Sequence, residues 1–120
     1  LEISALPGHM FNIDPDLLRQ VLINLIRNSL EAHASRVTLS AVERKDWLHI
    51  AIEDNGEGID PVLGENVFEP YISGKTKGTG LGLFTARRLV TAMGGEIRLA
   101  ESRPGTTCFR IRLPRGESSE

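Results

Sequence analysis

The spacing of apolar residues changes from a helical period to a strand period near residue 36, and this change restricts the fold more than any other feature of the chain. Residues 14–34 carry apolar side chains at helical spacing, whereas residues 36–53 contain two short alternating runs. Helical spacing returns at 83–93, and two further alternating runs end near residue 114. Helices and strands do not alternate strictly, so we predict an α+β fold built as a two-layer α/β sandwich.

The length and composition restrict the class of protein. The 120 residues are enough for one domain, which we place at residues 1–120. The net charge of −2 leaves no overall basic surface for nucleic acid or an anionic membrane, so any phosphate binding is expected to be local. Cys108 is the one cysteine and cannot form an internal disulfide. With no secretory leader before Leu1, we expect a cytoplasmic setting and a piece of a longer protein.

The first predicted helix begins with Asp14 as its N-cap and Pro15 in its first turn, and it runs to about Ala34. Its wide apolar arc comprises Leu18, Val21, Leu22, Leu25, Ile26 and Leu30. The narrow polar sector contains Asn24 and Asn28, whose amides lie one above the other at i,i+4 spacing. Two amide oxygens on one face can hold Mg²⁺, which prefers hard oxygen ligands. The alternative is an ordinary polar helix edge that faces water.

The next predicted element is an antiparallel hairpin, with strands at residues 36–43 and 47–53 and its reversal at 45–46. The second strand places three apolar residues on its buried face, Leu48, Ile50 and Ile52. Asp54 has the same parity. Its carboxylate is therefore expected to point toward the apolar layer.

A carboxylate directed into an apolar layer needs a hydrogen-bond donor, and the amino group of an adenine ring is one. Gly56 and Gly58 follow directly and would let a flat ring approach the backbone closely. The alternative is that Asp54 caps a turn at Asn55 and Gly56, and for the isolated motif this interpretation is favoured. At this point both readings stay open.

Residues from about 60 to 80 have turn chemistry and little period, which is typical of a functional lid or of a disordered segment. Alternating glycines lead from this segment into the second helix, in the order Gly78, Thr79, Gly80, Leu81 and Gly82. Their backbone N–H groups and the helix start would receive a phosphate, although a glycine hinge without a ligand fits equally well. Lys75 and Lys77 precede the glycines, where they either neutralise phosphate charge or are simply solvated.

Four short motifs follow one another along the chain: QVLINLIRNSLEA, DNGEGI, VFEPY and GTGLGL. Their order and spacing resemble the N box, first glycine box, F box and second glycine box of the catalytic ATP-binding domain of sensor histidine kinases. These domains are a branch of the Bergerat-fold ATPases, and the resemblance covers nearly the whole chain. It implies a mixed, mostly antiparallel sheet of about five strands, covered on one face by about three helices, with a flexible ATP lid.

The resemblance also implies the roles of individual residues in binding Mg-ATP. It places Asp54 on the adenine ring, with Thr107 joining the ring through a water. It makes Asn28 the main Mg²⁺ ligand and Asn24 its support, and it makes these two asparagines the catalytic residues. The other nucleotide-binding residues that it implies are Gly56, Gly58, Ile59, Lys75, Lys77, Gly78, Thr79, Gly80, Leu81, Gly82 and Leu83.

Two positions depart from the family pattern. Glu31 stands where many members have a basic residue, so phosphate charge would have to be met by Lys75, Lys77 or Arg27. Tyr71 stands in the F box where phenylalanine is common, which is a mild change.

The implied activity is transfer of the γ-phosphoryl group of ATP to a histidine on the helical dimerisation domain of the same kinase, with a response regulator downstream. Hydrolytic members of the fold carry a glutamate where Asn24 stands, and an amide cannot take a proton, so a hydrolytic clamp is disfavoured. His9, His33 and His49 lack the setting of the family's phosphoacceptor, so we expect no autokinase activity from this chain and, without the dimerisation domain, a monomer. A nucleotide-gated interaction module or an anti-sigma-like serine kinase of the same fold remains the alternative.

Overall fold

The computed structural model describes residues 2–3, 13–60, 62–70 and 81–114. In chain order the elements in these ranges are strand β1 (Glu2–Ile3), helix α1 (Pro15–Glu31), strands β2 (Val37–Arg44) and β3 (Trp47–Asp54), a 3-10 helix (Gly64–Phe68), helix α2 (Gly82–Ala92), and strands β4 (Glu96–Arg103) and β5 (Thr106–Pro114). The strands form one sheet in the order β1-β2-β3-β5-β4. Strand β1 is parallel to β2, and the other pairs are antiparallel. The predicted α+β sandwich is confirmed. Of the roughly three helices expected, the described residues contain two α-helices and the short 3-10 helix that lies between them in the chain.

Helix α1 begins where the sequence predicts. Oδ1 of Asp14 accepts hydrogen bonds from the N–H groups of Asp16 and Leu17, at 2.9 and 3.3 Å. The buried stripe of the helix has helical spacing and is formed by Leu18, Val21, Leu25 and Ser29. Leu30 is 60% exposed, so its predicted place in the apolar arc is wrong. It lies about 100° around the helix from Ser29, and that rotation turns it away from the core.

Helix α1 ends at Glu31, earlier than the predicted end near Ala34. His33 has a φ of 65°, in the left-handed region. The N–H of Ala34 donates to the carbonyl oxygen of Ser29 at 3.1 Å. This closing turn satisfies a carbonyl at the helix end and directs the chain into β2.

Strands β2 and β3 form the predicted hairpin. Arg44 pairs with Trp47 across a two-residue turn, in which Lys45 has a φ of 54°. The predicted alternation in β3 is confirmed, because the buried positions are Leu48, Ile50, Ile52 and Asp54. At the opposite end of β3 from Asp54, the guanidinium of Arg112 lies over the Trp47 ring, 4.2 Å from its centroid.

The core lies between the helices and one face of the sheet. It includes residues from both layers, among them Val21, Leu25, Ile50, Val90, Phe109 and Ile111. Phe68 of the 3-10 helix packs edge-on against Phe109, with ring centroids 5.9 Å apart. The 3-10 helix, which lies within the segment predicted as an irregular lid, is therefore anchored in the core, whereas residues 61 and 71–80 of that segment lie outside the described residues.

Candidate functional site

The centre of the candidate site is the carboxylate of Asp54, at the end of β3. The residue is 4% exposed. Its Oδ1 accepts a hydrogen bond from the N–H of Gly56 at 2.8 Å, and its Oδ2 accepts one from the hydroxyl of Ser29 at 2.6 Å. Within the described ranges, no cationic side chain forms an ion pair with this carboxylate. Two neutral donors therefore hold a buried acid that keeps further acceptor capacity.

Both sequence interpretations of Asp54 have a structural counterpart. The bond from the Gly56 N–H is the turn cap, and Asn55 adds to this turn by accepting from the N–H groups of Ser35 and Arg36, each at 2.9 Å. The turn cap uses one carboxylate oxygen. The second oxygen points to the helix side, where Ser29 donates to it.

Ser29 is a site residue that the sequence reasoning missed. It is 1% exposed and lies on the buried stripe of α1, one turn after Leu25. Its hydroxyl is 3.3 Å from the Leu25 carbonyl oxygen and 2.6 Å from Asp54 Oδ2. The signal that could have found it is a serine at an otherwise apolar core position, since a buried hydroxyl requires a partner.

Gly56 lies where the turn after β3 packs against the end of α1. A Cβ atom on Gly56 would be 2.7 Å from the carbonyl oxygen of Ala32 and 3.1 Å from Asp54 Oδ1. The same Ala32 oxygen accepts a hydrogen bond from the N–H of Glu57 at 2.9 Å. The backbone of Ala32 therefore makes the close approach to Gly56 that the sequence analysis expected of a flat ring.

Replacing Gly56 with alanine is expected to lower the free energy of unfolding by about 1–3 kcal/mol, because the added methyl overlaps backbone that cannot move freely. Chemical denaturation of the purified domain measures the change. Gly82→Ala is the matched control, since among the described residues outside its own helix turn and chain neighbours a Cβ at Gly82 would meet no atom within 4 Å. Equal stabilities for the two variants would contradict the tight packing described at Gly56.

The turn after β3 is also tied to the turn between β4 and β5. Gly58 has a φ of 87° and lies against the backbone of Arg103. The N–H of Ile59 donates to Ser102 Oγ at 2.7 Å, and the N–H of Gly105 donates to the carbonyl oxygen of Gly56 at 2.8 Å. These contacts hold the segment from Gly56 to Ile59 against the turn between β4 and β5.

Thr107 lies directly across from Asp54 in the β3–β5 register. It is 2% exposed, and among the described residues its hydroxyl has no hydrogen-bond partner. An unsatisfied buried hydroxyl costs about 1–3 kcal/mol, so the position calls for a water or a ligand. This observation fits a polar ligand beside Asp54.

Replacing Thr107 with valine, which has nearly the same shape, is expected to leave the free energy of unfolding unchanged or to raise it by about 1 kcal/mol. The reason is that the hydroxyl has no hydrogen-bond partner to lose in the described part of the chain. Denaturant titration of the ligand-free protein makes the comparison. A variant less stable than the wild type by more than about 1 kcal/mol would show that the hydroxyl is already satisfied.

Asn24 and Asn28 are half-buried on α1, beside the stripe that contains Ser29. Asn28 directly precedes Ser29, the residue that donates to Asp54, and Asn24 lies one turn earlier on the same helix. Glu31 is half-buried as well, on the next turn. The predicted polar edge of α1 is thus neither fully solvated nor part of the core.

The predicted phosphate segment is described only at its end. Gly82 begins α2 as expected, Leu81 precedes it, and Leu83 is half-buried in its first turn. Leu81, the N-cap residue of α2, makes no side-chain capping hydrogen bond, and the first turn of the helix carries no acidic residue. Five predicted nucleotide contacts lie outside the described residues, namely Lys75, Lys77, Gly78, Thr79 and Gly80.

A profile of the family described as "Histidine kinase-, DNA gyrase B-, and HSP90-like ATPase" matches residues 13–117. The chain therefore belongs to this family of ATPases. It is 40% identical over 114 residues to the sensory histidine kinase/phosphatase NtrB of Escherichia coli O157:H7, covering 84% of this chain and 32% of NtrB. It is also 40% identical over 121 residues to the signal transduction histidine-protein kinase AtoS of Escherichia coli (strain K12), covering 93% of this chain and 19% of AtoS.

Solved structures agree with this assignment. The catalytic domain of the histidine kinase ThkA, in a nucleotide-free form, matches with a TM-score of 0.76 and 30% identity, covering 88% of this chain and 70% of that one. Full-length ShkA in complex with AMPPNP matches with a TM-score of 0.74 and 28% identity, covering 87% of this chain and 22% of ShkA. Within the family, the chain is a histidine kinase ATPase domain of the two-component sensor type, and it spans about a third or less of the curated relatives named above.

None of the helices in the described part of the chain is both long enough and apolar enough to cross a membrane.

Proposed function

We propose that the chain binds Mg-ATP and donates the γ-phosphoryl group to a histidine on a separate helical domain, as the catalytic module of a two-component sensor kinase. The observation that carries the proposal is the buried carboxylate of Asp54, held by Ser29 and Gly56 across from the unpaired hydroxyl of Thr107. The AMPPNP bound by the structural neighbour ShkA supports the same class of ligand.

Asp54 recognises the base in this proposal. An ionised carboxylate offers about four lone-pair sites, and the two donors already present leave capacity for the amino group of adenine. The position is buried, so the new hydrogen bond forms away from competing water. The Thr107 hydroxyl reaches the base through a water that satisfies it at the same time.

Asn28, supported by Asn24, would hold the Mg²⁺, which neutralises phosphate charge when it is bound. Amide oxygens are hard ligands and fit this ion. The described residues contain no group of three or more His, Cys, Asp or Glu side chains that could hold a metal. In this proposal the remaining ligands are phosphate oxygens and water, which is how proteins commonly bind this ion.

In this proposal the nucleotide extends from its base at Asp54 to its phosphates near the start of α2. The backbone N–H groups from Gly78 to Leu83 donate to the phosphates. The ammonium groups of Lys75 and Lys77 neutralise phosphate charge, because Glu31 replaces the basic residue that many family members use for this. Asn24 cannot accept a proton, so the site holds ATP for an outside nucleophile and does not activate water. The domain contributes positioning, and the partner contributes the attacking nitrogen.

The test mixes the domain with a helical domain that carries the phosphoacceptor histidine of a related kinase, together with γ-labelled ATP and Mg²⁺. Label that appears on the helical domain, is lost in acid and survives base supports histidine transfer. A partner whose histidine is replaced by glutamine is the control and should remain unlabelled. Absence of transfer from a domain that demonstrably binds ATP would overturn the kinase proposal.

The same experiment separates the alternatives. Acid-stable phosphoserine on a supplied partner would favour an anti-sigma-like serine kinase, and nucleotide binding without transfer would favour a nucleotide-gated interaction module. Steady phosphate release without a partner would favour a hydrolytic clamp, which Asn24 disfavours. A response regulator as the downstream acceptor, a cytoplasmic setting and a monomeric isolated domain belong to the proposal as predictions.

A further inference from the structure

Ser29 donates a hydrogen bond to Asp54, but the proposed function gives Ser29 itself no contact with the nucleotide. The Ser29 hydroxyl has one proton and two oxygens within reach: Asp54 Oδ2 at 2.6 Å and the Leu25 carbonyl oxygen at 3.3 Å. The shorter distance and the charged acceptor favour donation to Asp54. The side chain is 1% exposed, so water does not compete for this proton.

The two donors around Asp54 act on different oxygens. The N–H of Gly56 holds Oδ1 and the hydroxyl of Ser29 holds Oδ2. A carboxylate bound only through Oδ1 could rotate about its terminal bond, because that torsion is broad. With both oxygens held, the plane of the group and the direction of its free lone pairs are fixed.

We propose that Ser29 is a positioning residue that makes the site selective for a purine with an amino group at position 6 over one with an oxygen there. The inference rests on the proposed function, since it assumes that Asp54 faces the base. A carboxylate is an acceptor only, and the bonds from Ser29 and Gly56 fix the direction in which Asp54 presents its remaining lone pairs to the ligand. An amino group completes that arrangement, whereas a 6-oxo group would place two acceptors against each other.

The experiment measures Mg-dependent binding of ATP and of inosine triphosphate, which carries oxygen in place of the amino group, to the wild type and to Ser29→Ala. We expect wild type to prefer ATP, and the ratio of the two affinities to fall roughly tenfold in the variant. The fall comes from weaker ATP binding, while inosine triphosphate binds at least as well as before. Ser40→Ala, an exposed serine on β2, is the matched control and should leave both affinities unchanged.

A second variant keeps the test decisive if alanine lowers stability. Ser29→Cys preserves the side-chain shape with a much weaker donor, so its affinity ratio should lie between those of wild type and alanine. Equal losses for both nucleotides would show that Ser29 merely supports the fold, and this result would overturn the inference. A wild type that does not bind ATP at all would instead reject the proposed function, so the two failures are distinguishable.

Discussion

Replacing Asp54 with asparagine is expected to weaken Mg-ATP binding by about 1.5–3 kcal/mol, which corresponds to roughly a ten- to 150-fold rise in Kd. The amide keeps one acceptor oxygen and turns the other position into a donor. Because Ser29 and Gly56 both donate to this side chain, one of them would then face an NH₂ group. The amino group of adenine would lose its charged acceptor as well.

Isothermal titration calorimetry at saturating Mg²⁺ measures this change in Kd. Asp46→Asn, in the exposed hairpin turn, is a suitable control because it removes the same charge at the opposite end of β3 from Asp54. An unchanged Kd in Asp54→Asn would remove Asp54 from the nucleotide site. The proposal that Asp54 recognises the base would then have to be abandoned.

Replacing Asn28 with alanine is expected to abolish Mg-dependent phosphoryl transfer, with the rate falling by roughly 100-fold or more. The change removes the amide that is proposed as the main metal ligand. Recognition of the base should partly survive, because the contacts of Asp54 come from Ser29 and Gly56 and not from the Asn28 side chain. Loss of transfer with retained nucleotide binding is therefore the expected signature.

The transfer assay described above, repeated over a range of Mg²⁺ concentrations, makes this measurement. Gln20→Ala is the control on the same helix, since Gln20 is polar and exposed. If Asn28→Ala transfers at the wild-type rate with the same Mg²⁺ dependence, Asn28 is not a metal ligand. Loss of all nucleotide binding would instead indicate that the variant has disrupted the pocket.

The position of Asp54 could be predicted from the sequence because strand parity is a local property. Alternation through Leu48, Ile50 and Ile52 fixes the face on which the next residue of that parity lies. The pairing of Thr107 with Asp54 is different. It depends on which strands become neighbours and in what register, and the spacing of residues along the chain does not determine either.

Ser29 was missed for a physical reason. The apolar arc of α1 is so wide that residues on both of its edges fit a helical projection, and hydrophobicity favoured Leu30 over a serine. In the folded protein the stripe through Val21 and Leu25 continues to Ser29, because the serine hydroxyl has a buried acceptor in Asp54. A hydrogen-bond partner on another element, Asp54 of β3, therefore determines that Ser29 is buried.

The 3-10 helix at Gly64–Phe68 illustrates a second limit. Five residues are too few to show a period, so the segment resembled an irregular lid. Its place in the fold is set by Val67 and Phe68, which are buried, and by the packing of Phe68 against Phe109. Such contacts across the fold cannot be inferred from local composition.

The stacked Trp47 has a practical consequence for these experiments. It is the single tryptophan of the chain, and β3 separates it from Asp54 by seven residue steps, or roughly 23 Å at the usual rise of a strand. Its fluorescence should therefore follow unfolding of the sheet while remaining insensitive to what occupies the far end of the strand. One optical signal can thus monitor stability in every variant without interference from added nucleotide at that distance.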